Sequence, residues 1–306
     1  MASRRRDPPI HGILNINKPR GLTSFAVVTR VRRLTGMRRV GHAGTLDPIA
    51  EGVLPVCIGQ ATRIVDYLVD QPKAYRAQLR LGVATDTYDA EGAVTAERDA
   101  SGVTRSKVEE ALLAFTGQIE QLPPMYSAVK HEGQPLYRHA RAGRLVERRP
   151  RQVTIYRLEL LDFQAPLVTI EMECSKGTYV RTLAHDVGER LGCGAHMSAL
   201  TRLRSGPFAL EEAVTLEELE RAADDGCWQE LLIAPDRVLE RWTAAILAGE
   251  HAGDVRHGRT VELTPVRPRK LEPGEGCRAY SVEGDFLGIL RHQGGAFWHP
   301  ERVFVR

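Results

Sequence analysis

The chain has 306 residues, enough for one large domain or two smaller ones, and its 42% hydrophobic and 26% charged content is that of a folded globular protein rather than a disordered one. No apolar run approaches the ~20 residues of a membrane span. The basic start, Met1 to Pro9, leads into a segment too short and polar for a secretory signal, so a cytoplasmic protein is expected. The net charge of +3 does not by itself announce a nucleic-acid partner, and five widely spaced cysteines in a chain without a signal do not make a disulfide framework.

Residues 1–9 read as a disordered basic tail. A short strand is expected from Gly12 to Ile16, then a helix capped by Thr23 or Ser24, with Phe25, Val28, Val31 and Leu34 on its buried face and a stop at Gly36. The stretch GHAGTLDPIAEGVLPVCIG (Gly41 to Gly59) follows. It holds one carboxylate, Asp47, between Leu46 and Pro48; the proline biases Asp47 toward extended backbone. Its apolar end, Val53 to Ile58, reads as a buried strand interrupted by Pro55, and a helix is expected from about Ala61 to Val69.

Tyr75 to Val83 alternates apolar and polar residues with the period of a half-buried strand. Thr85 to Gly92 reads as a polar loop whose Asp86, Asp89 and Glu91 are solvated turn residues. Ser106 and Glu109 resemble a capping box before a helix closed by Gly117. Residues 121–151, rich in Arg, His, Pro and Gly, read as a mobile basic insertion with one short helical piece at 136–141. Val153 to Phe163 and Leu167 to Cys174 form an expected hairpin. Val180, Leu183, Val187 and Leu191 have helical spacing, ended by Gly192, which puts Tyr179 and Arg181 in the first turn. A strand over 195–203 and an acidic helix over 216–223 complete a unit of residues 10–240. From Trp242 a β-rich unit of residues 241–306 is expected, with one short helix at 244–247. Strands and helices do not alternate strictly, so the fold class is α+β, a mixed, mainly antiparallel sheet flanked by helices.

Arginines cluster at Arg30, Arg32, Arg33, Arg38 and Arg39, and again from Arg138 to Arg151, while acidic residues gather at 211–225. Such clusters suit a phosphate-backbone partner or a solvated charged face. The Walker, dinucleotide, nucleophile-elbow and zinc-protease signatures are absent. Cys193 and His196 have ligand-like spacing without a second pair, so no metal is expected. That leaves Asp47, with Arg181, Tyr75, Tyr179, Lys18 and His42 as candidate partners. A lone carboxylate can act as nucleophile or base if a cation holds it charged and oriented. It can equally start a turn before a proline, and spacing alone leaves both readings open.

The blocks KPRGLTSF (Lys18 to Phe25), GHAGTLDPIAEGVLPVCIGQAT (Gly41 to Thr62), KAYRAQLRLGVATDTYDAEG (Lys73 to Gly92), LPPMYSAVKHEGQPLYRHARAG (Leu122 to Gly143), CSKGTYVRTLAHDVGERLG (Cys174 to Gly192) and LTRLRSGPF (Leu200 to Phe208) resemble, in order, the TruB family of tRNA pseudouridine synthases. The β-rich end with HPERVF resembles, more weakly, the PUA-type RNA-binding domain. The resemblance implies isomerisation of uridine 55 in the tRNA T-loop to pseudouridine, without cofactor or metal, by a monomer with tRNA as partner and no obligate protein partner. It implies Asp47 as the catalytic aspartate, Arg181 as its counter-ion, and Tyr75 stacked on the flipped base. It further implies His42 inserted in place of that base, Tyr179 and Leu200 lining the pocket, and Lys18 supporting the loops. Lys130 and the arginines of the insertion would grip the tRNA backbone. A guide-RNA-dependent synthase of the dyskerin type, or a non-catalytic tRNA-binding or folding factor, are the alternatives.

Overall fold

The computed structural model describes residues 10–127, 129–144, 146–264 and 272–304, apart from the side chains of Lys130, His131, Tyr137 and Arg141. The expected tail at 1–9 lies outside the described residues. Strand β1 (Gly12–Lys18) leads to helix α1 (Ser24–Thr35). The Thr23 hydroxyl caps α1 by accepting the Ala26 amide, and Gly36, at φ +68°, ends it in the left-handed conformation. The buried face is Ser24, Val27, Val28 and Val31; Phe25, expected inside, is 68% exposed.

Strand β2 (Val40–His42) and strand β3 (Ala50–Ile58) come next. Pro55 does not interrupt β3, which pairs with β1 along its length, Asn15 facing Pro55. The Pro55 carbonyl accepts from Ala43, so the side lacking an N–H faces the place where β2 has just ended. The helix expected over 61–69 is split into a 3-10 turn (Gly59–Ile64) and α2 (Val65–Val69). Strand β4 (Lys73–Leu81) has the alternation expected from sequence, with Tyr75, Ala77, Leu79 and Leu81 buried. Strands β5 (Val83–Thr85) and β6 (Val94–Glu97) pair apart from the main sheet. Helix α3 (Arg105–Leu113) is capped by Thr104, not by a Ser106–Glu109 box, and Gly117 opens strand β7 (Gly117–Gln121) instead of closing the helix.

Residues after β7 carry the small pair β8 (Lys130–His131) and β9 (Gln134–Pro135) and helix α4 (Leu136–Arg141). Strands β10 (Arg151–Gln164) and β11 (Leu167–Cys174) form the expected hairpin. Helix α5 (Val180–Arg190), strand β12 (Ala195–Ser205), the short β13 (Phe208–Ala209) and helix α6 (Leu216–Asp224) follow. The main sheet runs β1-β3-β12-β4-β11-β10-β7, with β2 on β3 and β13 on β12. Every pairing in it is antiparallel except β3 with β12. That parallel contact, at residues 50–52 and 200–202, joins the two halves of the sheet beside Asp47. The fold is therefore α+β with a mixed, mainly antiparallel sheet.

The stretch 243–247, expected as a helix, is strand β14 (Thr243–Leu247); the helix is α7 (Gly249–Arg256) just after it. With β15 (Val261–Glu262), β16 (Gly276–Ser281), β17 (Phe286–Gly294) and β18 (Phe297–Val303) it makes a second sheet, ordered β14-β16-β17-β18-β15. This sheet has its own core around Val255, Leu290 and Trp298. Ile289 and Phe304 also pack with Ile13, Val53, Cys57 and Ile64 of the first unit. Tyr67 adds a polar tie, donating to Glu301 at 2.7 Å, while Arg291 lies over the Trp242 ring.

Candidate active site

Asp47 lies in the turn between β2 and β3, and its carbonyl accepts the Ala50 amide. The loop is pinned from the front by the start of α1. Ser24 Oγ donates to the Leu46 carbonyl at 3.0 Å and accepts the Leu46 amide at 2.8 Å. The Gly21 amide donates to the Pro48 carbonyl. Ser24 is buried because it makes this clasp, where a helix-face reading would place only apolar side chains. Leu46, Ile49, Tyr75, Val180 and Leu200 pack in one apolar cluster around the loop.

Arg181, in the first turn of α5, reaches Asp47 Oδ2 with Nε at 3.0 Å. Its side chain is 6% exposed while that of Asp47 keeps 36%, so the arginine is buried and the aspartate remains reachable from solvent. Nη1 of Arg181 meets a second carboxylate, Asp89 Oδ2, at 3.3 Å. Its remaining donors reach the carbonyls of Tyr126 at 2.9 Å and Thr87 at 3.4 Å. One guanidinium thus ties together the Asp47 turn, the 87–89 loop, the 121–127 segment and α5.

Asp89, expected from sequence to be a solvated turn residue, is buried. Its Oδ1 accepts from the Thr87 hydroxyl at 2.6 Å and from the Glu91 amide, and the flanking backbone is fastened to Met197 of β12. Tyr88, whose carbonyl accepts the Met197 amide, is stacked on His185 of α5 with ring centroids 4.0 Å apart.

Burial pushes the Asp47 carboxyl above its ordinary range; Arg181 opposes this most strongly, Asp89 adds to it and Lys18 opposes it. Lys18 is fully buried at the end of β1. Its Nζ donates to the carbonyls of Leu22 at 2.7 Å and Pro19 at 2.9 Å, which holds the segment that clasps the Asp47 turn. Burial pulls it down to about 8, against the pull of Asp47 and Glu51.

Tyr75 is buried on β4 and Tyr179 is the N-cap of α5; burial raises both phenols, and each feels the Asp47 charge. The Gln121 side chain holds Tyr179 at both backbone groups, accepting from its amide at 2.9 Å and donating to its carbonyl at 3.2 Å. Leu200 on β12 sits between Ala50 of β3 and Ala77 of β4. His42 ends β2 opposite Val56; burial and then Arg202 lower its pKa, and among the described residues its Nδ1 has no hydrogen-bond partner. Arg181, Lys18, Tyr75, Tyr179 and Leu200 therefore gather around Asp47, with His42 at the opposite end of the same loop. The Lys130 side chain lies outside the described residues.

The start of the expected insertion is part of the site wall: Gln121, Pro123, Pro124 and Ser127 are buried. Beyond it Arg138, Arg144, Arg149 and Arg151 are exposed. The earlier arginine cluster is largely occupied. Arg30 pairs with Glu220 at 2.7 Å and Arg33 with the same residue at 3.6 Å, Arg32 donates to the Val40 carbonyl, and Arg39 to Thr62. The acidic helix α6, segregated from that cluster in sequence, lies against it. Cys193 and His196 are both buried, with the His196 ring bonded to the Val83 carbonyl and the Cys193 thiol near the Gly194 carbonyl.

Two family models match the chain. One, described as TruB family pseudouridylate synthase (N terminal domain), covers residues 32–180, and one, described as tRNA pseudouridylate synthase B C-terminal domain, covers residues 181–240. A tRNA pseudouridine synthase B of Dehalococcoides mccartyi (strain BAV1) is 42% identical over 295 residues, spanning 96% of this chain and 97% of that one. A protein of the same description from Pseudomonas aeruginosa (strain UCBPP-PA14) is 47% identical over 283 residues, 92% and 91% of the two chains. Among solved structures, one of an H/ACA RNP bound to a substrate RNA containing 2'-deoxyuridine superposes with a TM-score of 0.74 at 25% identity. One of a Cbf5-Nop10-Gar1 complex does so with 0.73 at 26%. Each spans 96% of this chain and 85% of the other.

Proposed function

The chain belongs to the TruB family of pseudouridylate synthases, and from that premise we propose that it isomerises uridine 55 in the T-loop of tRNA to pseudouridine, with Asp47 as the catalytic carboxylate. The observation that carries the reading is the Asp47–Arg181 pair at 3.0 Å, with the arginine buried and the aspartate partly exposed, set against an apolar cluster and near two tyrosines. Curated relatives at 42% and 47% identity are described as tRNA pseudouridine synthase B, which supports tRNA as the substrate.

The reaction breaks the N1–C1′ bond and forms C5–C1′, so the uracil must leave the stack, turn and rejoin the same ribose. Flipping it out costs a few kcal/mol. His42, whose pKa is lowered by burial, offers a neutral imidazole to stack where the base had been. Tyr75 supplies a flat face for the flipped uracil, and Leu200 and Tyr179 an apolar wall that keeps water from the cleaved intermediate. A carboxylate here can add to the ring, attack C1′ or remove a ribose proton, and each route needs it ionised. Arg181 supplies the opposing charge and fixes the carboxylate before substrate arrives. Lys18 acts through the backbone segment it holds. Because the product is an isomer of the substrate, the chemistry balances with no redox partner or group donor.

Residues 10–240 serve as the catalytic unit and 241–306 as a PUA-like RNA-binding unit. The exposed Arg138, Arg144, Arg149 and Arg151, with Lys130, hold the tRNA backbone. The solved neighbours are an H/ACA RNP bound to a substrate RNA and a Cbf5-Nop10-Gar1 complex, assemblies of more than one component, which motivates a second reading as a guided synthase. A bare tRNA transcript incubated with the protein alone distinguishes the two. Pseudouridine at position 55 supports the stand-alone reading; product only on adding a guide RNA or partner protein overturns it.

A further inference from the structure

We propose that Arg202 is a positioning residue for this reaction: its guanidinium fixes the Asp47 loop, and its strand holds that loop in register with the strand of Tyr75. The inference rests on the function proposed above.

Arg202 is 1% exposed and heads the fully buried side chains by volume. Among the described residues it has no carboxylate partner. A guanidinium taken out of water without a counter-ion costs several kcal/mol, and what Arg202 meets in return is backbone. Nε donates to the Val53 carbonyl at 2.6 Å and Nη2 to the Gly44 carbonyl at 3.1 Å. Gly44 precedes Asp47 and Val53 follows it, so the two bonds close the catalytic turn as a loop. The Tyr75 phenol feels the charge of the same guanidinium, and Tyr75 is the β4 residue paired with Arg202.

The sheet dictates this meeting. Strand β12 lies between β3 and β4, and Arg202 stands opposite Gly52 on one side and Tyr75 on the other. The approach on the β3 side is so close that a Cβ at Gly52 would lie 2.3 Å from the Arg202 carbonyl oxygen, and Gly52 is at φ +100°. The backbone of β12 therefore fixes the base of the arginine, and its planar fork fixes the loop through the Val53 and Gly44 carbonyls. Lysine keeps the charge but presents one nitrogen, which cannot reproduce a rigid fork across separate acceptors. The Arg202 charge also helps keep His42 neutral, second to burial. Thus one buried residue holds the Asp47 loop and adds its charge beside His42 and Tyr75.

The test compares wild type, Arg202→Lys and Arg202→Met on a tRNA transcript, measuring affinity at fixed salt and the single-turnover rate. Both variants are expected to retain wild-type tRNA affinity while the rate falls about 10- to 100-fold, the range for a misplaced reacting group. A lysine variant at the wild-type rate overturns the inference, as does a rate loss that only follows weakened affinity. If neither variant folds, hydrogen exchange on the wild type decides. The Ala43 and Leu46 amides, bonded to Pro55 and Ser24, should exchange no faster than the core of β12. A loop that opens independently overturns the clamp. Absence of product with wild type refutes the proposed function itself, whereas an active wild type matched by Arg202→Lys refutes only the role of Arg202.

Discussion

Asp89→Asn probes how the Asp47 carboxylate is held. The substitution keeps the side-chain size and an oxygen to accept from Thr87 and the Glu91 amide, now at 2.6 and 3.1 Å, but removes the charge 3.3 Å from Arg181. Breaking a buried ion pair by removing one partner costs about 3–5 kcal/mol. Arg181 here keeps Asp47 and two carbonyls, so a loss of about 2 kcal/mol is expected, measured by urea unfolding. The second effect is on titration. Asp89 is one of the groups pushing the Asp47 carboxyl upward, after burial, so removing it lets Asp47 ionise at lower pH. The acid limb of the single-turnover pH profile should move down even as the plateau rate falls on the order of tenfold from a loosened Arg181. An acid limb that moves up, or unchanged stability and rate together, would refute this account of the Asp47–Arg181–Asp89 triad.

Gly52→Ala places a methyl against the Arg202 carbonyl at a backbone angle suited to glycine, and should cost roughly 3 kcal/mol or more in urea unfolding. Lys73 is buried with its ammonium on the carbonyls of Leu68, Val69 and Gln71, and burial lowers it to about 8. A depressed lysine favours the fold in its neutral form. That contribution is full above the unfolded value of 10.5 and is lost as pH falls through about 8. Lys73→Met should therefore flatten a rise in stability of up to about 3 kcal/mol between those limits. Replacing Arg138, Arg144, Arg149 and Arg151 together by alanine should weaken tRNA binding. It should also reduce the salt slope by roughly 3, because each phosphate neutralised on a single strand contributes ~0.7. An unaltered slope would remove these arginines from the interface.

Local signals in the sequence are enough for several elements. The alternation in β4 is legible because one face of the strand is buried and the other is not. The α1 stop is legible because Gly36 takes a left-handed angle that other residues resist. Arg181 falls in the first turn of α5 by apolar periodicity alone, but its meeting with Asp47 requires the family resemblance because the two are far apart in the chain. What local signals miss depends on contacts between distant segments. Asp89 sits in a polar run that suits a solvated turn; it is buried because Arg181 of α5 and Met197 of β12 close over it. Arg202 resembles any basic residue in a strand, and nothing local distinguishes a guanidinium bound to backbone from one in water. The 244–247 run is too short for periodicity to separate helix from strand, and pairing with β16 decides it. Spacing assigns Phe25 to the buried face, yet Ser24 occupies the inner position through its bonds to Leu46.

The most direct measurement is pseudouridine mapping on a tRNA transcript after incubation with wild type and with Asp47→Asn. Burial already disfavours the Asp47 charge and Arg181 keeps Asp89, so the amide should fold with a stability loss no larger than the about 2 kcal/mol expected for Asp89→Asn, and intact folding of the variant is part of the result. The account predicts pseudouridine at position 55 with wild type and none with the folded variant, while both bind the tRNA. Pseudouridine formed by Asp47→Asn at a rate near that of wild type would contradict it.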